Sequence, residues 1–516
     1  APARAESVPV SIPDAAFATC ITDALTLASG TPVTVAQAAS IDSLDCSNRA
    51  IGSIDGAQTL TSLMFLDLDG NQVSDLSPIS GLTQLRGISA NANSVSSLTP
   101  VARLTGLWML ALGDNQISDL TALAGLNDLS YLLLANNRIS NVSPLARLTG
   151  LTMLSLDDNQ VIDLAPLSGL TNLTMLGLSN NQISNVRPLA GLTKLVLLDL
   201  ERNRILDLTG VNLANCAGDN CGLYASDQRV TLAPVRVGIS FPLVVKDEAG
   251  EAMQLKLPTG VRYANGALWY TVPGTYEITF PDTPGFTGTI TQVALGLMTS
   301  SVPRISGSAV VGSTLTALPD WWGPDGVALT YQWYRGSSVI VGATDPTHVV
   351  QPADVGAALK VQVTGAADGF ESVSRTSAAT PIVVKGTLSP VAVPVLDDAT
   401  PVVDQVLIAT PGGWGPDGVV LNFQWYRVSG TGVSTAITGA TQATYTVRSG
   451  DVGYRVKVKI SGSKAGYTSV SKYSATSSAV GKARFATVPV PTLAEVGTPR
   501  VGKKLTVVPG VFVPVQ

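Results

Sequence analysis

The residues that could do catalytic chemistry are few in this chain of 516 residues. Its only histidine, His348, lies in a Thr-His-Val segment, and a later repeat of the same segment has Tyr445 at the equivalent position. This exchange favours a packing role over acid–base catalysis. Pairs of carboxylates could support glycosidase chemistry. The acidic residues between residues 44 and 210, however, recur at outward positions, where solubility already explains them. We therefore expect no enzyme activity, no metal site and no cofactor.

The four cysteines form two pairs along the sequence, Cys20 with Cys46 and Cys216 with Cys221. The pairs flank the two ends of a repeat array whose coils stack about 4.8 Å apart, which separates the pairs by about 30 Å. Only local pairing is therefore possible if all four cysteines are bridged. Buried free thiols and a zinc site are the alternatives, although no histidine lies in this region.

Outward apolar residues give a pattern that indicates recognition. Six residues before each of seven regularly spaced asparagines stand Phe65, Gly87, Met109, Tyr131, Met153, Met175 and Leu197, and Trp108 and Leu133 adjoin them. Aromatic and methionine side chains on an exposed sheet are typical of a protein-binding patch. The alternative is a stacking ladder that only stabilises the sheet. The predicted contact residues are Phe65, Asp67, Trp108, Met109, Tyr131, Leu133, Met153, Met175, Leu197 and Asp199.

Acidic residues flank this row at both ends. They are Asp45, Asp67 and Asp69 at one end and Asp157, Asp199 and Glu201 at the other. Such ends favour a partner with basic or amide-rich edges. Weak calcium binding is an alternative, but solvation of the surface explains the same residues.

The elements that position these residues follow from a strict period of 22. The asparagines that mark it are Asn71, Asn93, Asn115, Asn137, Asn159, Asn181 and Asn203. A repeated period of this length indicates a solenoid, in which each short coil buries its apolar residues against its neighbours. The inward asparagine amides are expected to satisfy backbone groups where each strand ends. We therefore predict a leucine-rich repeat solenoid with one parallel sheet.

The convex side of each coil is equally regular. The same register contains Pro78, Pro100, Pro144, Pro166 and Pro188. Ser77, Thr99 and Ser143 precede three of these prolines, and we expect them to cap 3₁₀ turns. Before the coils, a helix with Pro13 and Asp14 in its first turn and a second one near Thr34 would form an N-terminal cap.

In repeat length and in the proline-containing turn, residues 9–295 resemble the internalin family of bacterial surface proteins. The resemblance implies a helical cap at 9–43 and repeats at 44–210, whose first coil has Arg49 in place of the asparagine. It also implies an immunoglobulin-like domain at 211–298, whose alternating segments suggest an antiparallel sandwich. Internalins are best known for binding host receptors, so the resemblance implies an adhesive role.

A second kind of repeat begins near residue 302. The segment from Trp322 to Arg335 returns almost unchanged from Trp414 to Arg427, and Trp333 and Trp425 are the expected core residues. The pattern resembles tandem immunoglobulin-like modules of bacterial surface proteins. We place the modules at 302–384 and 393–483 and a truncated third copy, expected to be disordered or paired with a neighbour, at 488–516. Residues 1–8 would be a leader, and the sequence would be a fragment of a longer protein.

Composition limits the partner and the compartment. The chain is 13% charged with a net charge of −5, which argues against nucleic acid and anionic membrane. No apolar run is long enough to span a bilayer. The start, Ala1-Pro-Ala-Arg-Ala, resembles a mature N-terminus left by a signal peptidase. We expect a monomer that is secreted to the cell surface or cell wall of a Gram-positive-like bacterium.

The resulting hypothesis is an adhesin-like protein that binds a protein or another macromolecule through the concave side of its solenoid, with the immunoglobulin-like modules as a stalk. Two alternatives remain. One is a structural or carbohydrate-binding protein of the cell wall, in which Trp321 and Trp322 would stack on glycan. The other is the recognition arm of a longer extracellular enzyme.

Overall fold

The computed structural model describes residues 8–211, 213, 222–283, 285–487, 489–494, 501, 504, 506–511 and 513–514. The chain forms two compact units: the first comprises the residues up to Leu297 and Gly369–Glu371, and the second comprises Met298–Asp368 and the residues from Ser372 onward. The first unit contains a solenoid and the domain that directly follows it. The predicted fold class, a leucine-rich repeat solenoid followed by β-sandwiches, is confirmed.

Two helices within residues 8–43 cover the first coil: α1 (Ala15–Ala24) and α2 (Val35–Ala38). One Asp14 carboxylate oxygen accepts the Ala16 and Phe17 amides at the start of α1, both at 2.9 Å. The other oxygen accepts the Gly52 and Ser53 amides of the first coil at 2.9 and 3.1 Å. Asp14 thus precedes the helix instead of lying in its first turn, because the free amides at a helix start favour an acidic cap there.

The solenoid has eight strands within residues 43–199, all of which are described. They are β1 (Ser43–Asp45), β2 (Phe65–Asp67), β3 (Gly87–Ser89), β4 (Met109–Ala111), β5 (Tyr131–Leu133), β6 (Met153–Ser155), β7 (Met175–Gly177) and β8 (Leu197–Asp199). Each strand pairs in parallel with the next at an offset of one repeat, as Phe65 does with Gly87. The middle residues of these strands, leucines except for Ile88, are buried, so the residues on either side of them face outward.

The convex side consists of 3₁₀ turns at Ala57–Thr59, Ser77–Ile79, Thr99–Val101, Thr121–Leu123, Ser143–Arg147, Ala165–Leu167 and Arg187–Gly191. The predicted capping by Ser77, Thr99 and Ser143 is wrong, because each is the first residue of its turn and makes no side-chain cap. The side chain two residues earlier does this instead: Asp75 accepts the Ser77 amide at 2.8 Å, and Asn141 accepts the Ser143 amide at 3.0 Å. These are Asx turns, which compete well for a free amide.

The asparagines form a ladder of hydrogen bonds through the coils. Asn137 Nδ2 donates to the Leu112 carbonyl at 2.9 Å, and its Oδ1 accepts the Ile117 amide at 2.9 Å. The same pair of bonds, to a carbonyl and an amide of the preceding coil, recurs at Asn71, Asn93, Asn115, Asn159, Asn181 and Asn203. One amide side chain per coil thus pairs backbone groups that burial would otherwise leave unsatisfied.

The domain after the coils continues the same sheet. Its strands are β9 (Gly222–Thr231), β10 (Val235–Arg236), β11 (Phe241–Pro242), β12 (Val261–Ala264), β13 (Ala267–Tyr270), β14 (Gly274–Thr283) and β15 (Phe286–Leu295). Strand β9 pairs in parallel with β8 on one side and with β15 on the other. The expectation of a purely antiparallel sandwich is therefore wrong for this sheet, because β9 extends the parallel sheet of the coils. Strands β14 and β15 pair antiparallel.

The first copy in the second unit has two main sheets and a separate two-stranded sheet. Its strands are β16 (Thr299–Ser300), β17 (Arg304–Ser306), β18 (Thr314–Leu318), β19 (Trp322–Gly323), β20 (Ala328–Arg335), β21 (Ser338–Val339), β22 (Thr347–Val349), β23 (Leu359–Ala366) and β24 (Val373–Thr376). The order β17-β18-β22 forms one antiparallel sheet, and β21-β20-β23-β24 forms the other. Trp333 on β20 is fully buried.

The second copy repeats this arrangement. Its strands are β25 (Gly386–Thr387), β26 (Val395–Leu396), β27 (Val406–Thr410), β28 (Val420–Val428), β29 (Ser434–Ala436), β30 (Thr444–Thr446), β31 (Arg455–Ser463), β32 (Tyr467–Thr468) and β33 (Val470–Tyr473). Sheets β26-β27-β30 and β29-β28-β31-β33 correspond to those of the first copy. Trp425 on β28 is fully buried, as Trp333 is.

The last part of the chain also contains strands, in its described residues. They are β34 (Phe485–Thr487), β35 (Thr492–Leu493), β36 (Val507–Val508) and β37 (Val513–Pro514). Strand β34 pairs with β37, and β35 pairs with β36. Disorder is one of the two expectations for the truncated third copy, and these described strands differ from it; the other, pairing with a neighbour, stays a prediction.

Candidate functional site

The solenoid presents a continuous outer surface, the strand face, made of the outward residues of β2 to β8 together with Met64 and Trp108. Its most exposed aromatic residues are Phe65, Trp108 and Tyr131, with 42%, 38% and 38% of each residue accessible. Met109, Met153, Met175, Leu133 and Leu197 are partly buried beside them. The predicted contact residues thus lie on one face, and Asp67 and Asp199 lie near its two ends.

An aromatic pair forms the centre of this surface. The ring centroids of Trp108 and Tyr131 are 5.5 Å apart, and the ring planes make an angle of 80°. The Tyr131 amide donates to the Trp108 carbonyl at 3.0 Å, so the two residues are also joined through the backbone. This edge-to-face arrangement fixes two large amphipathic side chains while leaving more than a third of each exposed.

The first acidic end contains carboxylates on neighbouring strands. Asp45 and Asp67 occupy paired positions on β1 and β2. Burial, reinforced by the charges of Asp69 and Asp45, raises the pKa of Asp67 above its ordinary value. The backbone and hydroxyl of Ser47 lower the pKa of Asp45. This end is therefore negatively charged at neutral pH, although burial and the neighbouring charges disfavour the ionised form of Asp67.

The second acidic end is more fully hydrogen-bonded. Asp157 accepts the hydroxyls of Ser155 and Ser179 at 2.7 and 2.8 Å and the Ser179 amide at 2.8 Å. Burial and the charges of Asp157 and Glu201 raise the pKa of Asp199. Both ends of the strand face thus contain carboxylates whose ionisation a nearby cation would favour.

A hollow of about 290 Å³ opens at the first end of the strand face. It is lined by strands β1 to β3 and by Met109 of β4. The hollow exists because Gly87 contributes no side chain between Phe65 and Met109, which stand on the two flanking strands. The surface therefore has a concave apolar site next to its carboxylates.

One residue of this surface and one that adjoins it were not predicted. Met64 is exposed one residue before Phe65, at the position that Trp108 takes two coils later, so the repeat alignment contained the signal. Tyr224 on β9 pairs with Asp199 and is exposed at the far end. Its offset from Asp199 is 25 instead of 22, which places it outside the regular pattern of the sequence.

The cysteine prediction is tested at one end of the solenoid. Cys20 of α1 and Cys46 form a disulfide that connects the helical cap to the first coil, with 5.6 Å between the Cα atoms. Cys216 and Cys221 lie outside the described residues. Among the residues that the structure does describe, no group of three or more His, Cys, Asp or Glu side chains could hold a metal ion.

The other residues considered for chemistry lie in the sandwiches. His348 is buried, its ring stacks on Trp333 at 5.6 Å between centroids, and its Nε2 lies 3.1 Å from Asp354. Trp322 is only 8% exposed and its indole N–H donates to the Pro319 carbonyl at 2.9 Å. The predicted glycan stacking on Trp322 is therefore wrong, because this ring lies in the core. Trp321 is 61% exposed.

Comparison with known proteins places the repeats in a family. A model of leucine-rich repeats matches residues 171–214. Internalin C2 of Listeria monocytogenes is 36% identical over 42% of this chain and 96% of its own, with a TM-score of 0.39. A second internalin of that organism, inlF, is 27% identical over 39% of this chain and 73% of its own, with a TM-score of 0.31. No curated protein matches the chain.

A leucine-rich repeat protein of Leptospira interrogans is 25% identical over 32% of this chain and 43% of its own, with a TM-score of 0.29. Within the described ranges, no helix is both long and apolar enough to cross a lipid bilayer. Over nearly all of internalin C2 the chain is thus 36% identical, and it matches the leucine-rich repeat model. The chain therefore belongs to the internalin-like leucine-rich repeat proteins.

Proposed function

We propose that this protein is an exported, adhesin-like recognition protein that binds a macromolecular partner, in the first place a protein, through the strand face. The immunoglobulin-like modules would act as a stalk that holds this face away from the cell. Membership of an internalin-like family supports a role in protein interaction. The narrower proposal, that the strand face is the binding surface, depends on the side chains it presents.

The exposed pair of Trp108 and Tyr131 carries this proposal. Aromatic side chains supply much of the binding energy at protein interfaces, since they cover a large area and lose little conformational entropy. Here the two rings already contact each other at 5.5 Å. The two side chains are therefore already ordered in the free protein, so a partner loses less free energy to ordering them when it binds. Met153 and Met175 extend the apolar surface along the next two strands and can adapt to an irregular partner.

A photo-crosslinking experiment tests the surface. The full chain is prepared with p-benzoylphenylalanine in place of Tyr131 or, as a matched control, in place of Ile162. Ile162 is 57% exposed but lies outside the strand face. Each protein is irradiated with extracellular proteins and with isolated cell walls, and the adducts are identified by mass spectrometry.

A specific adduct at position 131 that is absent at position 162 is the expected result. The captured protein is then purified, and its dissociation constant is measured for the parent chain and for Tyr131→Ala and Ile162→Ala. We expect Tyr131→Ala to weaken binding by about 2 kcal/mol, or about 30-fold, and Ile162→Ala to leave it unchanged. Equal crosslinking at both positions, or an unaffected Tyr131→Ala variant, would show that the strand face is not the binding surface.

A further inference from the structure

The hollow at Gly87 combines an open space with an aromatic wall. A β-carbon at Gly87 would lie 3.0 Å from Phe65 Cδ1 and 3.9 Å from Met109 Cβ. The Phe65 ring therefore leans toward the glycine, while the rest of the space above it stays open. A hollow of about 290 Å³ can receive one large side chain but not a folded element.

The residues that line the hollow include Asp45 and Asp67, whose carboxylates have spare acceptor capacity. Asp45 Oδ1 accepts the Ser47 amide, and Asp67 Oδ1 accepts the Asp69 amide, both at 2.9 Å. A carboxylate has about four acceptor sites, so each can accept further hydrogen bonds. Asp69 differs, because its Oδ1 alone accepts three donors from Ser89 and Asn91.

The basic residues near this end are engaged elsewhere. The Arg86 guanidinium donates to the carbonyls of Thr83 and Leu85 at 3.5 and 3.3 Å. Arg49 pairs with Asp23 at 2.6 Å. In the described part of the chain, no Lys or Arg nitrogen lies within 4.0 Å of the Asp45 or Asp67 carboxylates. The charge of Arg49 still contributes to lowering the pKa of Asp45, but neither carboxylate of the hollow has a salt-bridge partner in the described residues.

We infer that this hollow receives a cationic side chain, arginine or lysine, of the protein partner. The identity of that partner rests on the proposed function, but the chemistry of the subsite does not. A guanidinium or ammonium group would lie over the Phe65 ring and donate to Asp45 and Asp67. A calcium ion fits less well, because it requires six to eight oxygen ligands and two walls of the hollow are Phe65 and Met109.

A pair of small probes tests the subsite without the partner. The full chain is labelled with ¹³C-methyl methionine, which gives signals from six methionines. Met109 lines the hollow, whereas Met253 and Met298 lie outside the strand face and serve as internal references. The protein is titrated with N-acetyl-arginine methylamide and, separately, with N-acetyl-citrulline methylamide, its neutral near-isostere.

We expect the Met109 methyl signal to shift and saturate with the arginine probe at a concentration on the order of 10 mM. The citrulline probe should shift it at least about tenfold more weakly. An Asp45→Asn/Asp67→Asn variant should lose the response, while Asp55→Asn/Asp128→Asn, with the same change in net charge at exposed positions outside the strand face, should keep it.

The inference is overturned if both probes shift Met109 equally, if the Asp45→Asn/Asp67→Asn variant responds like the parent, or if Met109 stays unshifted while the probe is in large excess. Met109 shifts that Met253 and Met298 share would equally count against a local site. A failure here with specific crosslinking at position 131 leaves the proposed function standing. A response here without such crosslinking supports the subsite and counts against the wider proposal.

Discussion

Gln228 continues the hydrogen-bond ladder beyond Asn203, the last of the regularly spaced asparagines. Gln228 Nε2 donates to the Leu200 carbonyl at 2.8 Å, as Asn203 Nδ2 donates to the Leu178 carbonyl at 2.9 Å one coil earlier. Gln228 Oε1 also accepts the Ile205 amide at 3.0 Å. A residue of the following domain therefore pairs the buried backbone groups of the last coil. That domain thus contributes to the stability of the solenoid.

This relationship predicts the effect of Gln228→Ala. The substitution leaves the buried Leu200 carbonyl and Ile205 amide without their partner, which should cost about 2 to 3 kcal/mol of unfolding free energy. Hydrogen exchange measured by mass spectrometry should accelerate in the peptide that contains Ile205. Gln160→Ala, at an exposed position of an earlier coil, is the control. Unchanged exchange at Ile205 would show that Gln228 does not support the last coil.

The strand face should be dispensable for stability. Trp108→Ala and Tyr131→Ala remove partly exposed side chains, so each should change the unfolding free energy by no more than about 1 kcal/mol. The double variant should reveal a coupling of about 1 kcal/mol, because the two rings contact each other. Chemical denaturation of all four proteins measures both quantities. A much larger loss for either single variant would favour the stacking-ladder interpretation of this row.

Acid should destabilise the second unit through two buried aspartates. Burial would raise the pKa of Asp354, but the Gln351 amide, His348 and Arg335 lower it below the ordinary value, and Asp451 in the second copy has a lowered pKa for similar reasons. A lowered folded-state pKa adds stability that is present above the unfolded-state pKa of about 4. This stability is lost as the pH falls from about 4 through the folded-state pKa.

Calorimetry of the full chain at pH 7 and pH 3 tests this behaviour. Asp354→Asn should lower the stability at pH 7 by about 2 kcal/mol, since Arg335 and His348 lose a charged acceptor. The variant should then lose less stability between pH 7 and pH 3 than the parent does. Asp325→Asn, at an exposed turn position, should behave like the parent. Identical acid sensitivity in Asp354→Asn and the parent would contradict the assignment.

The disulfide should stabilise the helical cap. Cys20 and Cys46 are 26 residues apart, and closing a loop of that size removes about 3.5 kcal/mol of entropy from the unfolded chain. Cys20→Ser/Cys46→Ser should therefore expose residues 9–43 to proteolysis at a lower denaturant concentration than the parent requires. Reduction of the parent should reproduce the effect. If the parent and the variant are cut alike under oxidising conditions, the bond does not form in solution.

The regular parts of the first unit were predictable because each position recurs many times. The row from Phe65 to Leu197 and the asparagines follow from one period, and the alternation of a strand then places their side chains. Gln228 was not predictable, since it differs from the asparagines in both residue type and spacing. The parallel pairing of β9 was missed for a related reason: alternation indicates a strand but does not determine the direction of its neighbour.

The hollow illustrates a different limit. The sequence pattern places Gly87 in the outward row, but it does not show that the absence of a side chain there leaves a hollow. Its consequence depends on where Phe65 and Met109 place their atoms, which only coordinates give. Similarly, Ser77 and Asp75 are both suitable caps by residue type, and the backbone geometry decides in favour of Asp75.

The uniform offset between strands has an evolutionary consequence. Because each coil pairs with the next at the same spacing of 22 residues, unequal recombination could remove or duplicate one coil without disturbing the helical cap or the Gln228 junction. Each such event would change the distance between the two acidic ends by about 4.8 Å. Related genes could therefore match partners of different lengths while keeping the same terminal structures.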